Sequence, residues 1–310
     1  MDKIIIIGAG AMGSFFAARL ARAGADVTLV DVDSARRSAI AQHGISLHDT
    51  QGDFIVPVRA ARAQEVSGPV DLVVLFTKAM HSKVAIQSVA HLAADAAAVL
   101  TLQNGLGNAE AIAEVFPAER VLMGVTDWPA DFVPPHGVAV HGAGHVWMGC
   151  ATDGEDQLAH RVIDRLNSAG LAAAYDPQIR AAIWEKAAFN AALNALATLL
   201  DVPVGGLDTP EGRRIATAVA EESIAVAAAL GIAMDRARLI AKIDFALAQH
   251  KAHLPSMLQD RRAGRATEIE AINGAIIEAA RRVGLTAPVT ATLADLVRMG
   301  EPQAEGLDAR

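Results

Sequence analysis

Lys3-Ile4-Ile5-Ile6-Ile7-Gly8-Ala9-Gly10-Ala11-Met12-Gly13 is the stretch on which the reading of this 310-residue chain turns. Four consecutive isoleucines read as a short strand buried on both faces. The Gly-x-Gly-x-x-Gly that follows is a weak signal by itself. Here it stands between that strand and an Ala-rich helix predicted over Met12–Ala23, and a second predicted strand, Val27–Val30, runs into an acidic residue, Asp31. In such a setting Gly8 permits the tight turn, Gly10 lets the backbone approach a pyrophosphate, and Gly13 lets the helix close on the strand. The N–H groups along Gly8, Ala9, Gly10, Ala11, Met12 and Gly13 then face the phosphate charge. The stretch predicts a dinucleotide site.

Asp31 lies 18 residues after Gly13. A carboxylate there accepts hydrogen bonds from the adenosine ribose hydroxyls and repels a 2′-phosphate, which favours NAD over NADP. Arg36 and Arg37 stand close enough in sequence to keep NADP open, and Asp31 can also simply cap a turn. A flavin uses the same fingerprint, but no second pattern suits an isoalloxazine, so a nicotinamide cofactor is expected.

Outward from this unit, short apolar runs alternate with helical segments. Ser34–His43 reads as a helix, residues 54–59 as a strand, and Leu72–Phe76 and Ala98–Leu102 as continuous apolar strands of a parallel sheet covered on both faces. From Val121 to Met148 the texture changes, with Pro129, Pro134, Pro135, Gly137, Gly142 and Gly144 between short β segments; an antiparallel extension of the sheet is expected. A helix over 158–169 and a strand over Ala172–Tyr175 follow. Beyond Asp176-Pro177 nearly everything has helical period: Ile179–Leu200, Thr209–Leu230, Asp235–His250 and Ala266–Val283, with a frayed tail from Gly300. The fold class is α/β: a Rossmann-type dinucleotide-binding domain over 1–177, then an all-α domain over 178–310, for which substrate binding and dimerisation are the expected roles on the grounds given below.

Hydrophobic residues make up 52% and charged residues 20% of the chain, a globular balance with material for a large core. The net charge of −8 disfavours a nucleic-acid partner, and the one basic cluster, Arg261, Arg262 and Arg265, reads as a solvated helix end or as the neighbour of an anionic ligand. One cysteine, Cys150, excludes an intrachain disulfide and speaks against a thiolate metal site. His141 and His145 are separated by Gly142 and Gly144, a turn rather than a helix face, so no metal is expected. No signal-peptide core and no apolar run of membrane-spanning length is seen, which predicts a cytoplasmic protein without membrane contact.

Lys186, Asn190 and Asn194 recur at i, i+4, i+8 and share one face of the long helix, amid Ala187, Ala188, Phe189, Ala191, Ala192 and Leu193. Such a face is either the solvent side or a site. Two asparagines in a helix interior are unfavourable choices without a task, and Glu185, the one adjacent acid, points elsewhere. A cation beside two neutral donors suits a reaction that builds negative charge on oxygen.

With these residues the chain resembles the ketopantoate reductase family over roughly residues 1–295. The matching stretches are Gly8–Gly13, Thr77-Lys78-Ala79, Asn104-Gly105-Leu106-Gly107, the Lys186/Asn190/Asn194 face, Ser256-Met257-Leu258-Gln259-Asp260, Thr267-Glu268-Ile269-Glu270 and Ile272-Asn273-Gly274. The resemblance implies a 6-phosphogluconate-dehydrogenase-like architecture, a homodimer, and NAD(P)H-dependent reduction of 2-dehydropantoate to (R)-pantoate. It implies Lys186 as the acid that protonates the keto oxygen and Asn190 and Asn194 as ligands of the substrate's oxygens. Ser256 would hold its carboxylate end. Glu268 would meet the nicotinamide ribose and orient Lys186, and Asn104 would lie where cofactor and substrate meet. Lys78 would contact the cofactor or steady the cleft, and Ala130 would give the cofactor a backbone contact.

Two positions depart from the family pattern. Members often carry a basic residue where Asp31 stands. After Gly124-Val125-Thr126 the chain has Asp127-Trp128-Pro129 where many relatives have small or hydroxyl residues. Trp128 either reshapes the acyl pocket or packs beneath the domain junction. In the first case the substrate would be a bulkier or aromatic 2-keto acid, and the chain an NAD-dependent D-2-hydroxyacid dehydrogenase. A non-catalytic dinucleotide sensor is the reading from another class, and the joint presence of Lys186 and Glu268 opposes it.

Overall fold

The computed structural model describes residues 2–152 and 157–301, and its chain divides into two compact units: Met1–Gln103 with Gly107–Ile179, and Asn104–Leu106 with Arg180–Arg310. The helical unit thus includes a three-residue segment taken from the middle of the first half.

In the first unit, β1 (Lys3–Ile7) lies centrally because Ile4 to Ile7 are buried on both faces. It pairs in parallel with β2 (Asp26–Val30) on one side and, across a chain crossover, with a later strand, Leu72–Leu75, on the other. Between them run α1 (Ala11–Arg22), α2 (Ser34–His43), the hairpin β3 (Ile45–Asp49) and β4 (Gly52–Val56), and β5 (Arg59–Ala61). Next come β6 (Leu72–Leu75), α3 (Ser82–Ser88), β7 (Val99–Thr101), α4 (Asn108–Ala113) and β8 (Val121–Thr126), followed by β9 (Ala130–Val133), β10 (Gly137–Val140), β11 (Val146–Cys150), α5 (Gln157–Ser168) and β12 (Ala173–Tyr175). The main sheet has the order β12-β11-β8-β7-β6-β1-β2-β5. Because β2 and β6 flank β1, the loops after β1 and β6 leave the sheet at its topological switch point, where open parallel sheets form their ligand crevice. Phe15, Phe16 and Leu20 of α1 are fully buried against this sheet, each contributing about 1.5–3 kcal/mol by burial.

Two expectations change here. The segment 54–59 is split between β4 and β5, which belong to different sheets. The segment from Val121 to Met148 is only in part an extension of the main sheet. β8 and β11 pair antiparallel within it, but β9 and β10 join β3 and β4 in a second sheet of order β4-β3-β10-β9. Alternation of apolar residues gives strands but does not say which partner they take.

The second unit is built from α6 (Ile179–Leu200), α7 (Pro210–Ala229), α8 (Arg236–Gln249), α9 (Ser256–Arg262), a π-helical stretch Glu270–Gly274 running into α10 (Ala275–Arg282), and α11 (Pro288–Met299). The π turn occupies what sequence reading gave to one regular helix over Ala266–Val283, and α9 and α11 were not anticipated. Thr209 and Asp235 cap α7 and α8 with their side chains, each such cap being worth about 1 kcal/mol. Nor is the chain frayed directly from Gly300: Glu301 is tied back to Thr267 by its carboxylate. Among the described residues, no helix is long and apolar enough to cross a membrane.

Candidate functional site

The nucleotide half belongs to the first unit. Gly8 has φ +102°, and a Cβ on it would lie 2.8 Å from Thr77 N, so the β1 and β6 loops touch backbone to backbone. A Cβ on Gly13 would lie 1.8 Å from Gly8 O, which is how closely α1 approaches the strand it follows. Gly10 differs: nothing lies within 4 Å of where its Cβ would be. It precedes the half-exposed first turn of α1, where no side chain caps the N–H groups of Ala11, Met12 and Gly13. Uncapped N–H groups, a helix dipole and open space together fit a pyrophosphate.

Asp31 follows β2 directly, but its carboxylate is turned into this loop. Oδ2 accepts the Ala9 N–H at 2.6 Å and faces Arg36 Nη1 at 3.4 Å, and Oδ1 accepts the Asp33 N–H at 2.8 Å. Turn capping, one of the two sequence readings, is thus realised. Oδ1 has a second lone pair for a ribose hydroxyl. Arg37 donates to the Asp31 carbonyl at 2.7 Å, and the Arg36 guanidinium lies 4.7 Å over the Phe132 ring. Asp33 caps α2; the Arg36 N–H it accepts holds its carboxyl below the ordinary range.

At the ends of β6 and β7 a residue overlooked in the sequence, Gln103, joins the loops. Its Nε2 donates to Thr77 O at 2.6 Å, Thr77 Oγ1 at 3.1 Å and Ser82 Oγ at 2.7 Å. This network fixes the backbone beside Lys78, which is half-buried ahead of a 3₁₀ turn. The position directly before Asn104-Gly105 was the available signal. Ala130 opens β9, half-buried and paired with Val140.

Trp128 is turned inward within the first unit. Its ring lies 5.0 Å from Phe15, its Nε1 donates to Leu171 O at 3.0 Å, and it packs against the core of the first unit. Asp127 accepts the His145 N–H at 2.6 Å and so ties the connection after β8 to the residue before β11. Gly144 leaves room there for Trp128.

A separate group of candidate residues lies within the helical unit. Lys186 and Asn190 are half-buried on α6 and Asn194 is buried, at 5% exposure, so the face is not an ordinary solvent side. Glu185 is engaged elsewhere, accepting from Arg238 Nε at 3.0 Å and from Asp235 N at 3.1 Å. The segment Asn104–Leu106 docks on the π turn: Leu106 N donates to Ala271 O at 3.0 Å. Gly105 has φ +88°, and a Cβ there would stand 2.4 Å from the same Ala271 O. From the other side Asn273, fully buried, donates through Nδ2 to Ala191 O at 3.3 Å, between Asn190 and Asn194 in sequence. One π turn therefore stitches together the Asn104 segment, the chain just after Glu268, and the α6 face. π turns recur at functional sites because they break helical register at one place.

Ser256 is the exposed first residue of α9. Two of the neighbouring arginines are engaged: Arg262 with Asp201 at 2.7 Å and Arg265 with Asp260 at 2.9 Å. Among the described residues no group of three or more His, Cys, Asp or Glu is arranged to hold a metal.

A largely parallel sheet with a glycine loop at its switch point, followed in the chain by a helical unit, is the architecture of an NAD(P)-dependent oxidoreductase of the 2-dehydropantoate 2-reductase type. Residues 4–153 match the ketopantoate reductase PanE/ApbA family model and residues 178–301 its C-terminal counterpart. The chain belongs to the ketopantoate reductase family. It is 34% identical over 308 residues to the 2-dehydropantoate 2-reductase of Pyrococcus abyssi, covering 98% of this chain and 99% of that one. With the enzyme of Streptococcus pyogenes serotype M1 the identity is 30% over 301 residues, covering 96% and 97%. Among solved structures, a ternary complex of D-mandelate dehydrogenase with NADH and anilino(oxo)acetate superposes with a TM-score of 0.91 at 33% identity, covering 96% and 98%. The 2-dehydropantoate 2-reductase of Geobacter metallireducens gives 0.87 at 32%, covering 96% and 99%.

Proposed function

We propose that the protein reduces 2-dehydropantoate to (R)-pantoate, using NADH in preference to NADPH, with Lys186 as the proton donor. The observation that carries this reading is the stitched arrangement in the helical unit, which holds Asn104, the Glu268 segment and the Lys186/Asn190/Asn194 face on one scaffold. The nicotinamide cofactor, when bound, supplies the hydride to the keto carbon. The N–H groups of Gly10, Ala11, Met12 and Gly13 receive the pyrophosphate, with Gly8 holding the turn and Ala9 held to Asp31. Asp31 accepts a ribose hydroxyl through Oδ1, and its charge disfavours a 2′-phosphate. Lys78, Ala130 and Glu268 complete the cofactor's surroundings.

As the ketone becomes an alcohol, negative charge develops on its oxygen. The Lys186 ammonium stabilises that charge and delivers the proton, leaving a neutral amine that solvent reprotonates. Asn190 and Asn194 donate to substrate oxygens without competing for the proton. Ser256 donates to the carboxylate end, and Glu268 orients the Lys186 ammonium while Asn104 lies at the meeting point of the two ligands. We take the working form to be a cytoplasmic homodimer. Exposed apolar side chains on the helical unit, such as Leu200 and Phe245, support an association through that half.

A second reading has its own support. The D-mandelate dehydrogenase complex superposes over 96% of this chain, which favours an aromatic 2-keto acid on the same machinery. Initial rates of NADH oxidation with ketopantoate and with benzoylformate, each repeated with NADPH, decide between them. Faster turnover of ketopantoate with NADH supports the first reading, and faster turnover of benzoylformate replaces it by the second. Turnover confined to NADPH overturns the role given to Asp31. Lys186→Ala is expected to lower kcat by about 10²–10⁴-fold. Wild-type turnover by that variant would remove Lys186 from the chemistry.

A further inference from the structure

Glu301 lies just beyond α11, separated from Thr267 by 34 positions in the chain. Its carboxylate nevertheless accepts the Thr267 N–H through both oxygens, at 3.1 and 3.3 Å, and the Thr267 hydroxyl at 2.5 Å. Thr267 is buried, at 4% exposure, and its Oγ1 in turn accepts the Ile269 N–H at 3.3 Å. The residues on both sides of Glu268 are therefore fixed by one distant carboxylate. On the downstream side the Glu268 carbonyl accepts the Ile272 N–H at 3.1 Å, which locks it into the first turn before the π stretch. With its backbone held at three points, Glu268 has only its own side-chain torsions left to place its carboxyl group.

The chemistry of this contact calls for a carboxylate. It must accept from an N–H and an O–H at once, and charge-assisted hydrogen bonds are about twice as strong as neutral ones.

We propose that Glu301 is a positioning residue of the reductase site, holding Glu268 in place through Thr267. This rests on the role given to Glu268 above. Glu301→Ala, Glu301→Gln, Glu268→Ala and the double variant Glu301→Ala/Glu268→Ala test it, with NADH and whichever keto acid the rate comparison selects. Thermal melts run alongside.

Because a misplacement of about 1 Å costs on the order of 100-fold in rate, Glu301→Ala is expected to lower kcat/KM by about 10- to 100-fold. Glu301→Gln, which retains an acceptor oxygen, recovers part of that loss. On the Glu268→Ala background the loss from Glu301→Ala shrinks to less than about twofold, because residues acting through one group are non-additive. An equal loss on both backgrounds, or wild-type kinetics for Glu301→Ala beside an impaired Glu268→Ala, overturns the proposal alone. Wild-type turnover by Glu268→Ala, or no turnover of either keto acid, overturns the underlying reading and the proposal with it.

Discussion

Replacing Gly10 by alanine separates the two duties that the glycine loop combines. Gly10 has φ −74°, an angle that alanine adopts, and its missing Cβ points into open space. Without ligand the change is close to neutral. Alanine restricts the unfolded chain, a gain of about 0.4–1 kcal/mol, and is a poorer N-cap than glycine by a similar amount. With cofactor the same methyl group stands where the pyrophosphate would approach the backbone. Loss of one or two charge-assisted hydrogen bonds, at about 1.5–3 kcal/mol each, weakens binding by a middle value of about 3 kcal/mol. That corresponds to a rise in the NADH Kd of roughly 100-fold. Calorimetric titration with NADH and urea unfolding of the same preparation measure the two effects. Gly10→Ala that binds NADH as wild type does would show that no phosphate passes over Gly10. A large loss of stability without ligand would show that the space around it is not open.

Gly13→Ala should behave in the opposite way. Its Cβ would sit 1.8 Å from Gly8 O, roughly 1.6 Å short of ordinary contact at 3.4 Å. α1 must retreat, and urea unfolding should show a loss of about 3 kcal/mol before any ligand is added. Trp128→Phe removes the bond to Leu171 O and should cost about 1–2 kcal/mol, while the preference between ketopantoate and benzoylformate stays within twofold of wild type. A switch of preference would return Trp128 to the substrate pocket. Asp71 accepts the Asp2 and Lys3 N–H groups, Lys3 foremost, and this holds its carboxyl below the reference value of 3.8. A depressed carboxyl adds stability at neutral pH that is lost as pH falls through its lowered value. Wild type should therefore exceed Asp71→Asn in urea midpoint at pH 7, with the gap closing below about pH 3.8. A gap that persists in acid would refute the linkage.

Much of the first half was legible from residue order. Ile4 to Gly13 carries strand, turn and helix start within one window, and Asp31 follows at the end of the adjoining strand, so local propensity and spacing suffice. The α6 face was also legible, because helical period alone puts Lys186, Asn190 and Asn194 on one side. Other features depend on contacts between distant segments. Whether Trp128 faces a ligand or Phe15 is decided by a carbonyl 43 positions away, at Leu171. Residues 130–140 read as strands, but their partners are β3 and β4, and strand pairing is not written into either segment alone. The π turn at Glu270–Gly274 matches an ordinary helix in composition, and it is defined by where Leu106 and Asn273 make their bonds.

The sequence by itself therefore determined the dinucleotide loop, the two-part α/β and helical architecture, and the chemical types of the candidate site, because each rests on periodicity or on groups a few residues apart. Only the tertiary structure decided that Asp31 is bound into its own loop, that Asn104 belongs with the helical unit, and that Glu301 secures the chain around Glu268. Those facts depend on hydrogen bonds closed across 22 to 34 positions or more, and a linear pattern carries no information about which distant donor meets which acceptor.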